Sequence, residues 1–401
     1  MSETPLLTVV VVFFNMPREA ARTLWTLSVA YQQEVVVEDY QVVVIDHGSS
    51  RPLAADFVAG FGKNFVYRFH ETKAVSPVQA LNQAVAESFS ELVMVMIDGA
   101  HMLSPGVIAN ALRAARAWTD PFVTVVGFHL GRENQNRSVS QGYDQVAEDA
   151  LLSRVAWREN GYLLFELAGE LAYDCAGWFG PLAESNCFMM KKTSYERLGG
   201  FDSRFTEAGG GLAILDFFRR ALLTEELDYI VLLGEGSFHQ FHGGVASNAP
   251  YAEHPWERFH RQYRELRGEA YRVVARRPHL LGRINPEVDA WTRLCARVGL
   301  EWWLAETQHP HDLENFFCPI GYAMLEARRD PLEECQLREL RDRLIVLTQF
   351  CDGEITRRKE CEKELAELRV GSDSAEGLRG WLSKLKLPGV RRRAGERKKT
   401  F

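Results

Sequence analysis

Apolar residues in the first 130 positions come in short unbroken runs, each closing on a polar residue and followed by a stretch with helical spacing. Leu6–Phe14 (LLTVVVVFF) is β-branched and stops at Asn15, and Pro17 then opens a helical pattern through Tyr31. Proline is favoured near a helix start because its missing N–H would have had no partner there. Gln41–Ile45 reads as a second strand, closed by Asp46 and the turn His47-Gly48-Ser49-Ser50. Phe65–Phe69 is a third, followed by a loop around Lys73–Pro77 and a helix carrying Ala80, Leu81, Ala84 and Val85 at helical spacing. Leu92–Ile97 has no polar break, the mark of a parallel strand buried on both faces, and it ends on Asp98. A helix over Pro105–Trp118 and a strand over Phe122–Phe128 come next. This alternation predicts an α/β fold with a mostly parallel central sheet and helices on both faces.

An acid at the end of the most apolar strand is informative, because ligands of open α/β sheets bind beyond the carboxyl ends of the strands. Asp98 therefore stands either where a metal or phosphate would be met or simply at the start of a turn, a common job for Asp.

Beyond Leu130 the strand rhythm is lost. The polar run GRENQNRSVSQGYDQ reads as a loop over the site, and Tyr162–Ala168 as a strand. Trp178 and Phe179 suit the core better than stacking on a ligand. Ile230–Gly236 is the last strand expected, followed by SFHQFHGGVASN, with His239 and His242 three apart. Pro255–Ala275 and Trp291–Leu304 read as amphipathic helices that pack on the sheet or on another subunit. Leu332–Leu368 suits a helical hairpin or short coiled coil, a candidate homo-oligomer contact. The expected organisation is a catalytic domain over 1–250, a helical extension over 251–330, the hairpin over 331–370 and a flexible basic amphipathic tail over 371–401.

Composition narrows the class. The 401 residues allow one large domain with appendages or two domains, and 46% hydrophobic with 25% charged content is ordinary for a soluble globular chain. Seven Cys form no CxxC pair and give an odd number, which argues against a disulfide framework or zinc module and for a reducing cytoplasm. The start MSETPLL has no basic region ahead of an apolar one, so no secretory signal is expected. No stretch approaches the roughly 18–20 apolar residues that cross a bilayer. A formal net charge of -7 argues against nucleic acid as a partner. The tail GLRGWLSKLKLPGVRRRAGERKK is either a solvated basic end or a segment lying on an anionic membrane. The expected location is the cytoplasm, with peripheral contact at the inner face of the membrane as the variant the tail adds.

Taken together, VVVVFFN, VVVIDHGSS, the helix bearing ALNQAV, MVMIDGA and ERLGGFDSRF resemble the family 2 glycosyltransferases of the nucleotide-diphospho-sugar transferase (GT-A) fold. The likeness covers roughly residues 6–245, and its order and spacing are more specific than any one motif. It implies nucleotide-sugar contacts at Phe14, Asn15, Asp46, Asn82, Asp98 and Gly99. It also implies a divalent metal, Mn²⁺ or Mg²⁺, at Asp98, because a hard cation on the phosphate oxygens eases departure of a nucleotide diphosphate. The third position of the family's metal motif is Ala100, not an acid, and His101 and His242 are the candidates to complete the ligand set. Imidazole ligands suit Mn²⁺ better than Mg²⁺.

The resemblance further implies an inverting transfer from a nucleotide-diphosphate sugar to a hydroxyl of a glycan or lipid-linked acceptor, in surface glycan or polysaccharide synthesis. The catalytic base of the family sits in a Glu-Asp pair on the helix after GGFD, but Ala213 and Ile214 occupy those positions here, which leaves Asp216 as the carboxylate able to serve. Two other classes stay open: an inactive sugar-nucleotide or glycan-binding protein, and a scaffold of a glycan assembly complex.

Overall fold

The computed structural model describes residues 4–131, 134–171, 177–250 and 253–296. Among the described residues ten strands form one sheet: β1 Leu7–Phe13, β2 Tyr40–Asp46, β3 Phe65–Phe69, β4 Leu92–Met96, β5 His101–Leu103, β6 Pro121–Leu130, β7 Ala168–Leu171, β8 Cys187–Lys191, β9 Asp228–His239 and β10 His279–Gly282. The main order is β10-β9-β6-β8-β4-β1-β2-β3, with β5 added to β9 and β7 to β6. Neighbours on this path are parallel except β8, which runs against both β4 and β6. The expected arrangement of a mostly parallel sheet between helical layers is what the chain adopts.

The helices are α1 Pro17–Thr26, α2 Ala55–Ala59, α3 Val78–Glu87, α4 Val107–Ala117, α5 Gln135–Ser138, α6 Gln145–Leu152, α7 Leu164–Leu167, α8 Lys192–Arg197, α9 Ala213–Leu223 and α10 Trp256–Arg267. Side chains alternate across a strand, so a strand buried on both faces feeds two cores. In β1, Leu7, Val9, Val11 and Phe13 pack with Ala20 and Leu24 of α1 and Val107, Ile108 and Ala111 of α4. Val10 and Val12 point the other way, into a core with Leu81 and Val85 of α3 and Phe217 and Phe218 of α9. Each fully buried Val or Leu contributes about 1.5–3 kcal/mol, which is why these central runs contain no polar break.

Three expectations change. Tyr162–Ala168, expected to be strand, lies mostly in a 3-10 turn over Gly161–Leu163 followed by α7, and the strand β7 begins only at Ala168. The polar run after Leu130 carries α5 and reaches α6; Gln135 in it is fully buried. Residues 279–282 extend the sheet as edge strand β10 beside β9. Trp178 is core, as expected: it is fully buried and its indole N–H donates to the Glu235 carbonyl at 2.8 Å. Among the described residues no helix is long and apolar enough to cross a membrane. The calls on the hairpin, the linker and the basic tail lie outside the described residues, as does the end of the Trp291–Leu304 helix.

Candidate active site

Asp98 follows β4 at its carboxyl end, and the turn it begins is held on three sides. Its Oδ1 accepts from Ala100 N–H at 2.8 Å, Thr23 of α1 donates its hydroxyl to Gly99 O at 2.6 Å, and Gln240 N–H donates to Ala100 O at 2.7 Å. A Cβ on Gly99 would lie 2.4 Å from both the Phe13 ring and Val12 O, so the turn packs against β1 as only glycine allows. Asp98 keeps 23% of its side chain open, enough for a ligand to reach it.

Sheet register then brings imidazoles to this acid. His101 of β5 is the direct partner of His239 on β9, and His129 of β6 is the partner of His239 on its other side. Paired residues share a face. The His101 and His129 rings lie 4.9 Å and 5.5 Å from that of His239, and His242 lies 5.2 Å from it. His239 Nε2 is 3.4 Å and His242 Nε2 3.3 Å from Asp98 Oδ2. Ligand atoms of Asp98, His101 and His239 all fall within 4.8 Å of one another.

The surroundings fix how these rings point. Gln135 donates through Nε2 to Leu130 O at 3.1 Å and His239 O at 3.0 Å, which sets its amide orientation and leaves Oε1 as acceptor. His239 Nδ1 lies 2.7 Å from that oxygen, so Nδ1 carries the proton and the Nε2 lone pair faces Asp98. Asn248 donates to the same Gln135 oxygen at 2.7 Å, and its own Oδ1 accepts from the backbone N–H groups of His242, Gly243 and Gly244. Gly244 has a reason too: a Cβ there would sit 2.8 Å from His242 Nε2. The loop is also tied from α6, where the buried Glu148 accepts from Phe241 N–H at 2.6 Å and pairs with Arg18 and Arg22.

The charge state follows from this packing. Burial alone would raise the pKa of Asp98, but His242 and His239 hold it well below the usual carboxylate range. Burial lowers His239, and it pushes His101 down to about 3 with the help of His239. Burial also opposes charge on His242, yet Asp98 outweighs it and raises that pKa. A carboxylate therefore faces neutral imidazoles at His101 and His239, the protonation that metal binding requires. Nε2 of His239, Nε2 of His242 and both ring nitrogens of His101 are buried with no hydrogen-bond partner. Buried unpartnered nitrogens converging on an acid fit a divalent cation, and the N-rich set fits a transition ion better than Mg²⁺.

The other expected residues fare differently. Phe14, at the end of β1, leaves its side chain open, with 54% exposure, and is free to stack on a base. Asn15 takes a left-handed conformation (φ 53°), and its Oδ1 accepts from Ser50 N–H and Oγ–H. Asp46 is fully buried and accepts from Ser49 N–H at 3.1 Å and Leu53 N–H at 2.8 Å, so its carboxylate organises the turn after β2. Asn82 fastens the 198–202 turn: its Oδ1 accepts from Tyr195 O–H at 2.6 Å and Phe201 N–H at 3.0 Å, and its amide donates to Phe201 O at 2.7 Å.

Asp216, expected as the base, is buried in a triad. Arg267 of α10 donates to both its oxygens at 2.6 Å and 2.8 Å, and Arg220 Nε donates to Oδ2 at 2.8 Å. Arg220 also holds Leu198 O and Gly200 O, so the triad clamps α9, α10 and the Gly199-Gly200 turn. With both carboxylate oxygens taken by guanidinium donors, Asp216 presents no free oxygen to an acceptor hydroxyl.

His239, Gln135, Asn248 and Glu184 were given no role from sequence. His239 had a visible signal in its spacing from His242; the others had none, since long-range hydrogen bonds set Gln135 against His239 and Asn248 against Gln135, and the pairing of β8 with β4 sets Glu184.

No family model and no curated protein matches the chain. Among solved structures, one similar to it is S. aureus TarS 1-349 in complex with UDP-GlcNAc, at 14% identity and TM-score 0.42 over 65% of each chain. S. aureus TarS 1-349 matches at 13% identity and TM-score 0.39 over 58% of this chain and 60% of that one, so the chain spans about three fifths of its length. The mannosyltransferase PcManGT from Pyrobaculum calidifontis, in complex with GDP-Man and Mn2+, matches at 16% identity and TM-score 0.38 over 76% of each chain.

Proposed function

We propose that this protein is a metal-dependent glycosyltransferase that moves a sugar from a nucleotide-diphosphate donor to a hydroxyl acceptor by single displacement with inversion. The observation that carries the reading is the meeting of Asp98 with the unpartnered nitrogens of His101, His239 and His242 at the carboxyl rim of β4. Asp98, His239 and His101 would hold the cation, with His242 beside them. When bound, it supplies positive charge for the leaving diphosphate. Phe14 stacks on the nucleotide base, while the Asp46 and Asn15 turns shape the pocket wall behind it. Buried, pre-oriented imidazoles cost no reorganisation during the reaction, which is the basis of their electrostatic contribution.

The test pairs binding with turnover. Calorimetry with UDP- and GDP-sugars is run with and without Mn²⁺, followed by release of nucleotide diphosphate in the presence of glycan acceptors. Asp98→Ala should remove metal-dependent binding and transfer together; turnover at near wild-type rate would sink the proposed site. A second reading, a sugar-nucleotide-binding protein without catalysis, draws on Ala100 and on the locked Asp216. Tight binding without transfer to any acceptor would favour it.

A further inference from the structure

With Asp216 engaged, the transfer proposed above needs another proton acceptor. We propose that Glu184 is the base that takes the proton of the acceptor hydroxyl; this rests on the transferase reading of the Asp98 site.

Elimination points first. Between 181 and 223, the segment from the approach to β8 through α9, every other carboxylate faces a cation. Glu196 meets Lys192, Asp202 meets Arg204 and Arg267, Glu207 meets Arg258, and Asp216 meets Arg220 and Arg267. Glu184 is half-buried, and among the described residues no cation or hydrogen-bond donor meets its carboxyl group.

Placement points the same way. β8 runs antiparallel to β4 with Cys187 opposite Met96, so the residues before Cys187 continue past the end of β4 towards Asp98. The backbone on both sides of Glu184 is fixed. Ser185 Oγ bonds Val125 N–H, Val125 O and Cys187 O, and Ala183 O accepts from Tyr271 O–H at 2.9 Å. A cation on Asp98 and an unpaired carboxylate beside it are the two halves of a displacement site, one for the leaving group and one for the nucleophile.

In the step, the acceptor oxygen bonds to the anomeric carbon as its proton passes to a Glu184 carboxylate oxygen. The anomeric C–O bond to the diphosphate breaks, and its electron pair leaves on the phosphate oxygen. A positioned base of this kind contributes about 10²–10⁴-fold.

The experiment uses the full chain as wild type, Glu184→Gln and Glu184→Asp. Mn²⁺ affinity, UDP and GDP affinity, and nucleotide diphosphate release with UDP- and GDP-sugars and glycan acceptors are measured for each. The expected result is transfer reduced at least 100-fold in Glu184→Gln, with metal and nucleotide affinities within threefold of wild type and a smaller loss in Glu184→Asp. Should Glu184→Gln fail to fold, a tenfold or greater loss of transfer in Glu184→Asp at unchanged Mn²⁺ affinity supports the assignment, and unchanged transfer overturns it. Transfer by folded Glu184→Gln above a third of wild type overturns the base while leaving the transferase standing. A tenfold loss of Mn²⁺ affinity in Glu184→Gln also overturns it and makes the residue a ligand. Wild-type protein that binds no nucleotide and releases none overturns both readings.

Discussion

Replacing Gln135 by Leu tests whether the orientation of His239, rather than its mere presence, makes the metal site. Gln135 Oε1 is the acceptor that fixes the His239 proton on Nδ1, and the same oxygen receives Asn248, which holds the His242 loop. Leu keeps most of the volume and removes both contacts. Loss of such an outer partner weakens metal affinity about 10–100-fold, which is about 1.4–2.8 kcal/mol. The fold also pays, since Leu130 O and His239 O lose donors, at about 1–3 kcal/mol for a buried group left unsatisfied. Two measurements separate these effects. Calorimetric Mn²⁺ titration well below the unfolding midpoint reports affinity alone. Stabilisation by Mn²⁺ at about 100 times the wild-type Kd should be about 2.7 kcal/mol for wild type and about 0.9 kcal/mol for a variant weakened about 30-fold. A folded Gln135→Leu protein with Mn²⁺ affinity within twofold of wild type would refute the reasoning.

Three further outcomes follow from the same contacts. Asp216→Ala leaves two arginines without their shared acid and should destabilise by about 2–4 kcal/mol, reduced from the fully buried case because Arg220 and Arg267 are partly open; urea denaturation reads this, and a variant with unchanged midpoint but no transfer would restore Asp216 as the base. Burial raises Glu235 to about 7 against about 4.3 in the unfolded chain, so the native state binds more protons between those values and loses stability as pH rises through them, by up to about 4 kcal/mol; in Glu235→Gln the fall between pH 5 and 8 should be shallower, and an unchanged slope would place that proton elsewhere. Because Asp98 raises His242, a proton competes with the cation there, so Mn²⁺ affinity should climb with pH through neutrality and binding should release protons into the buffer; flat affinity from pH 6 to 8 would remove His242 from the site.

The order of strands and helices could be read from the chain because burial on both faces forbids polar residues. The runs at 7–13, 42–45 and 92–96 announce themselves, and so does the acid that follows β4. The likeness of the motifs then implied a metal at Asp98. What the chain in one dimension could not say is which of its other polar residues are free. Asp46, Asn82 and Asp216 carry the right chemistry, yet turn hydrogen bonds and arginine pairs consume it, and such partners lie up to 119 residues away. Conversely, His239 faces His101 only because β5 adds to β9 in one register, and Gln135 reaches His239 from a stretch that looked like open loop. Local sequence determined the strands, through the cost of burying an unpaired polar group; register and long-range pairing, set by packing of the whole sheet, decided which side chains meet at its rim.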